Sequence, residues 1–113
     1  MAYNLFLADR LRFILSGKHI AYTEKIMFGR LVFMINNKFC FSIYKDEMEI
    51  RISSDSANSL LSTGRYQPLD PSGKSMKHFI KIPSIALDMD EELEHWVNLS
   101  LAYNKILTQD LSQ

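Results

Sequence analysis

Leu31-Val32-Phe33-Met34-Ile35-Asn36-Asn37-Lys38-Phe39-Cys40-Phe41-Ser42-Ile43-Tyr44-Lys45-Asp46-Glu47-Met48-Glu49-Ile50-Arg51-Ile52 continues a two-residue apolar alternation that begins at Ile26. A period of two marks strands with one face buried, not a helix. Two polar pairs interrupt the alternation at hairpin spacing. Asn36-Asn37 suits a two-residue loop, because Asn tolerates positive φ, and Lys45-Asp46 is the next candidate. Taken as tight turns, they set Ile35 against Lys38, Met34 against Phe39 and Val32 against Phe41. The second turn sets Tyr44 against Glu47, Ile43 against Met48 and Phe41 against Ile50. The two registers agree with each other. They place Val32, Met34, Phe39, Phe41, Ile43, Met48, Ile50 and Ile52 on the core face of an antiparallel meander.

The same register leaves Leu31, Phe33, Ile35, Cys40, Ser42, Tyr44, Glu47, Glu49 and Arg51 on the other face. A solvated face of an antiparallel sheet is mostly polar, and the last strand obeys this while the first does not. Leu31, Phe33, Cys40 and Tyr44 are therefore the candidate interaction face. Either the chain's own N-terminal residues or loops cover them, or a partner does, and a second copy around a two-fold axis is the expected partner.

Outward from the meander the period changes. Leu7, Ala8, Leu11, Ile14 and Leu15 recur at helical spacing, with Asn4 as cap and Gly17 as stop. Downstream, Ser53-Ser54-Asp55 offers caps for a short helix carrying Ala57, Leu60 and Leu61, ended by Gly64. Asp70-Pro71-Ser72-Gly73 has type I turn chemistry. A strand is predicted over 76–82, closed by Pro83. A last helix should start near Asp88 or Asp90 and run to about Leu107, burying Leu93, Trp96, Val97, Ser100, Leu101 and Leu107. Asn104 is a polar gap in that stripe, and residues 108–113 are expected to fray. Helix, strands, short helix, strand and helix describe a two-layer α+β domain with the helices on one face of an antiparallel sheet. Residues 1–113 are read as a single domain.

Composition narrows the chemistry. The 113 residues hold thirteen basic and thirteen acidic side chains, for a formal net charge of zero, so the broad positive field of a phosphate-gripping protein is missing. One cysteine, Cys40, cannot form an internal disulfide. No Cys/His spacing suits a metal. His19, His78 and His95 fall on a loop, a strand and a helix, with no nucleophile or carboxylate beside them in sequence. The scattered glycines form no phosphate loop. No catalytic set, metal or cofactor is expected. The apolar start of the chain is interrupted by Asp9, Arg10 and Arg12, so no signal peptide or membrane span is predicted, and the cytoplasm is the expected compartment.

Charge is nevertheless segregated. Residues 65–81 carry Arg65, Lys74, Lys77 and Lys81 against Asp70, whereas residues 88–94 carry Asp88, Asp90, Glu91, Glu92 and Glu94. The basic segment is a candidate anion or nucleic-acid contact, with Tyr66 available for stacking. The plainer alternative is a solvated loop facing the acidic helix start.

The stretch Thr23-Glu24-Lys25-Ile26-Met27-Phe28-Gly29-Arg30-Leu31-Val32-Phe33-Met34-Ile35-Asn36-Asn37 resembles the signature of the TfoX N-terminal domain family: a Met-Phe-Gly-Gly core, an apolar strand with a Phe-Met pair, and an Asn-Gly turn. Pro68-Leu69-Asp70-Pro71-Ser72-Gly73-Lys74-Ser75-Met76-Lys77 is similar to the family's second block, a turn leading to Met-Lys and a strand. Arg30 stands at the usual second glycine and Asn37 at the turn glycine. The resemblance implies a helix, three or four strands, a helix, two strands and a helix, similar to the secretion-chaperone type. It also implies kinship with competence regulators that govern DNA-uptake genes through a transcription factor, here without their C-terminal domain. The expected function is thus a non-enzymatic protein-interaction or regulatory module. A nucleic-acid-binding module and a small-ligand-binding domain are the alternatives.

Overall fold

The alternating stretch is realised as the centre of a six-stranded antiparallel sheet in the computed structural model, which describes residues 3–111 and side chains as far as Gln109. α1 (Leu5–Gly17) precedes β1 (Thr23–Met27), β2 (Arg30–Ile35), β3 (Lys38–Tyr44) and β4 (Glu47–Arg51). α2 (Ser54–Leu61), β5 (Gln67–Pro68), β6 (Phe79–Ile82), a 3-10 turn (Ser84–Leu87) and α3 (Asp90–Leu111) complete the order. The strands lie side by side as β1-β2-β3-β4-β6-β5. The domain is α+β, and its helices pack on one side of the sheet. Leu7, Ala8, Leu11 and Leu15 of α1, Ala57 of α2 and Leu93, Trp96 and Val97 of α3 share one core with Phe41, Ile43, Met48, Ile50, Ile80 and Ile82.

Local chemistry explains the element ends. Asn4 caps α1, its side chain accepting from the Leu7 amide at 3.0 Å, and Ser53 caps α2 through the Ser56 amide at 3.1 Å. Asn36 and Asn37 both hold positive φ, 55° and 62°, as a type I′ hairpin requires. The predicted strand over 76–82 is shorter than expected. Met76 takes φ 56° and pairing begins only at Phe79. At the other end the expected fraying gives way to helix as far as Leu111, while Ser112 and Gln113 lie outside the described residues.

The register departs from expectation at one residue. Ile35 pairs with Lys38 and Met34 with Phe39, as the turn demands, but Phe33 then pairs with Phe41 and Val32 with Ser42. Cys40 is left over, an extra residue in β3. Such a bulge shifts the pairing by one beyond it, and with a side-chain period of two the shift exchanges the faces of β2. Leu31, Phe33 and Ile35 therefore face the helices, while Val32, still fully buried, passes to the other face with half-buried Met34 and Phe39. Phe39 instead meets Phe79 edge-on, with centroids 5.1 Å apart. The reward is aromatic: Phe33 and Phe41 stack at 5.0 Å under the helices. From Phe41 to Glu47 and along β4 the pairing is as read from the sequence.

The outer face is closed by its own side chains. Glu49, fully buried, accepts from Arg30 Nε at 2.6 Å and Nη2 at 3.0 Å, and from Ser42 Oγ at 2.6 Å. The Arg30 guanidinium also lies 4.8 Å from the centre of the Tyr44 ring, a cation–π contact. The side chain at the position where the family signature has glycine thus roofs β3 and β4. Asn104, the gap in the last helix, donates to the Ile35 carbonyl at 2.9 Å and accepts from Asn36 Nδ2 at 3.0 Å. It ties α3 to the β2–β3 turn.

Two substitutions test this packing. Phe41→Ala should cost about 3–5 kcal/mol, from lost transfer energy plus the cavity left behind, measured by urea unfolding. Arg30→Ala should cost about 3 kcal/mol, because it strands a buried carboxylate, and adding Glu49→Gln should recover part of the loss.

Candidate functional site

The expected interaction face is not assembled. Leu31 and Phe33 are buried beneath the helices and Cys40 is buried at the bulge. Tyr44 alone keeps the outer position, half-buried under Arg30 with Lys45 Nζ 5.4 Å from its ring centre. The physical reason is the one-residue shift at Cys40, which turns the Leu31, Phe33 and Ile35 side of β2 inward.

The basic segment does not converge either. Arg65 lines a cleft of about 400 Å³ with Tyr66, Glu91, Glu92, His95 and Trp96, on the helix side of the sheet. Lys81 lies on the opposite side, directly across the ladder from Glu49 and between the buried Ile80 and Ile82. Lys74 and Lys77 are exposed in the intervening loop. That loop already holds an anion of its own. The Asp70 carboxylate accepts from the Ser75 and Ser72 hydroxyls, each at 2.8 Å, and from their amides at 2.9 and 3.1 Å. These bonds, the Ser75 hydroxyl foremost, hold its pKa well below the usual carboxylate range. Amides that could have cradled a phosphate are spoken for.

Two of the three histidines make ring contacts. His78 stacks on Tyr103, its Nδ1 3.1 Å from both the Ile52 carbonyl and the Tyr103 hydroxyl. His95 meets the edge of Trp96, and His19 is an exposed residue after α1. Among the described residues no cluster of three His, Cys, Asp or Glu could hold a metal ion, and no helix is long and apolar enough to cross a membrane.

Helix packing leaves a groove of about 770 Å³ between α1 and the first turns of α3. α1 buries the stripe read from its sequence, and Phe6 and Phe13 fall off that stripe. They are 73% and 80% exposed, and as i and i+7 they stand on one side of the helix, about 10 Å apart. Ile14 and Leu93 line the groove with them. Two ion pairs bolt its walls together: Arg10 to Asp90 at 3.1 Å and Lys18 to Glu94 at 2.8 Å. Arg10 also donates to the Asp88 carbonyl and lies 6.0 Å from the centre of the Phe6 ring. Sequence reading missed Phe6 and Phe13. The available signal was two large aromatics spaced seven apart, outside an otherwise complete apolar stripe.

An open antiparallel sheet with helices on one face and a solvent-facing interhelical groove defines a two-layer α+β domain. The chain belongs to the TfoX N-terminal domain family, whose sequence model matches residues 15–103. Comparison with curated proteins and with solved structures returns no match. The family match begins at Leu15, so Phe6, Arg10 and Phe13 precede it.

Cys40 offers a check on the bulge. Burial pushes its thiol up to about 12 from an ordinary 9.0, and nearby Arg51 pulls the other way without prevailing. A raised folded-state pKa contributes stability that is complete below the unfolded value of 9.0 and is lost as pH rises through about 12. Between those limits the wild type should lose stability more steeply than Cys40→Ala in denaturant titrations. At neutral pH the native thiol should react with Ellman's reagent only at the rate of unfolding.

Proposed function

We propose that this TfoX N-terminal domain is a non-enzymatic, cytoplasmic interaction module that docks a regulatory protein partner through the α1–α3 groove. The observation that carries the reading is the pair of exposed phenylalanines, Phe6 and Phe13, lining one concavity with Ile14. Exposed large aromatics beside a concavity are what interface hot spots are made of. Neither phenylalanine belongs to the buried core. Membership in a family that includes regulators of DNA-uptake genes agrees with an interaction role in general, while Phe6 and Phe13 lie before the matched residues. Direct nucleic-acid binding is the weaker reading, because the four candidate cations are divided between two sides of the sheet and an intervening loop.

The test uses a double variant, Phe6→Ser with Phe13→Ser, immobilised beside the wild type in cell extract. Its melting temperature should match the wild type within the small range expected of exposed positions. Proteins held by the wild type should be lost from the folded variant. Equal retention by both would refute docking through this groove.

A further inference from the structure

We propose that the segment received by the α1–α3 groove is a basic amphipathic helix of a partner protein. The inference rests on the docking reading above and adds the chemistry of the occupant.

Backbone chemistry selects a helix. A peptide bound in extended form relies on a sheet edge to satisfy its amides and carbonyls. The walls here are α1 and the start of α3, helices that present no strand edge for an extended chain to pair with. An occupant must therefore bring its backbone hydrogen bonds with it, and a helix does. The spacing fits as well. Phe6 and Phe13 lie two turns apart on one side of α1, matching the rise between the i and i+7 anchors of an amphipathic helix laid alongside. Half-buried Ile14 adds apolar lining, while Leu93 is fully buried.

Charge selects a basic occupant. Asp9, Asp90, Glu91 and Glu94 line the groove against Arg10 and Lys18 alone. Both cations are already engaged, Arg10 with Asp90 and Lys18 with Glu94. Arg12, the next cation on α1, is held by Asp9 at 2.8 Å and by Glu24 at 2.6 Å. Among the described residues, Glu91 is the lining carboxylate that no ion pair engages, so four acidic groups against two cations leave the groove net negative. An apolar cleft under such a field favours an apolar helix edged with Lys or Arg.

The same field argues against a second copy. A two-fold pairing of α1 with α1 of another chain would set two acidic α3 starts beside each other. It argues equally against a phosphate backbone.

The experiment titrates the isotopically labelled domain with two synthetic helical peptides that share one leucine pattern. One carries lysine and the other glutamate at every remaining position. The lysine peptide should shift amide resonances of α1 and the start of α3, and should weaken about tenfold or more when salt rises from about 0.05 to 0.5 M. Glu91→Lys should weaken it further, and Phe13→Ser should abolish the shifts while the thermal melt stays unchanged. Equal binding of the glutamate peptide, or affinity indifferent to salt, would overturn the basic occupant yet leave groove docking intact. Binding that survives Phe13→Ser lies elsewhere on the molecule and would overturn the proposal, as would no shift with either peptide at millimolar concentration. Wild-type self-association that disappears in Phe13→Ser would assign the groove to a second copy instead. Docking through the groove fails by a separate sign, equal retention of extract proteins by the Phe6/Phe13 double variant.

Discussion

The extra residue in β3 governs which side of the sheet meets the helices. Between the Asn36-Asn37 turn and Phe41 the chain must pass from turn-dictated pairing to pairing that stacks Phe33 on Phe41, and one unpaired residue, Cys40, absorbs the difference. Everything inward follows. Leu31 and Phe33 join Ile43, Met48 and Ile50 under α1 and α3, and α3 reaches back through Asn104 to hold the turn itself. Bulges commonly re-aim side chains near a sheet's edge. Here the bulge makes two consecutive hairpins serve one core.

Its outward effect is a face with little left to offer. With Leu31, Phe33 and Ile35 of β2 turned in, Ser42, Glu49, Arg30 and Tyr44 form a polar lattice over β3 and β4, with Glu49 satisfied by three donated hydrogen bonds. A buried carboxylate is tolerable only with such pairing. Unsatisfied apolar surface appears on the helical side instead, where α1 carries more large aromatics than its contact with the core can use.

Much of the architecture could be read from periodicity and caps. The stripe of α1, the caps at Asn4 and Ser53, both hairpin turns and the β3–β4 register all follow from local chemistry. The orientation of β2 could not be read this way. Both of its faces are apolar, so period two is present but its phase is ambiguous, and only the nonlocal stacking of Phe33 on Phe41 resolves it. The candidate site was less legible. Grooves form where two helices diverge, and α1 and α3 meet across some eighty residues of sequence, as the Arg10–Asp90 pair illustrates. The charge segregation at 88–94 was visible, but its neighbour in space was not.

The sheet is open, so it has two exposed margins that could template growth into larger assemblies. One margin, β5, is two residues long and contains Pro68, which has no amide to donate. The other, β1, runs for five residues with Glu24 and Lys25 at its middle. A second chain adding antiparallel there about a two-fold axis normal to the sheet would set Glu24 against Glu24 or Lys25 against Lys25 at the central registers. Like charges directly opposite are destabilising, and Glu24 is already clasped by Arg12 from α1. The open sheet is thus protected against edge-to-edge polymerisation by side-chain sign at one margin and by brevity at the other.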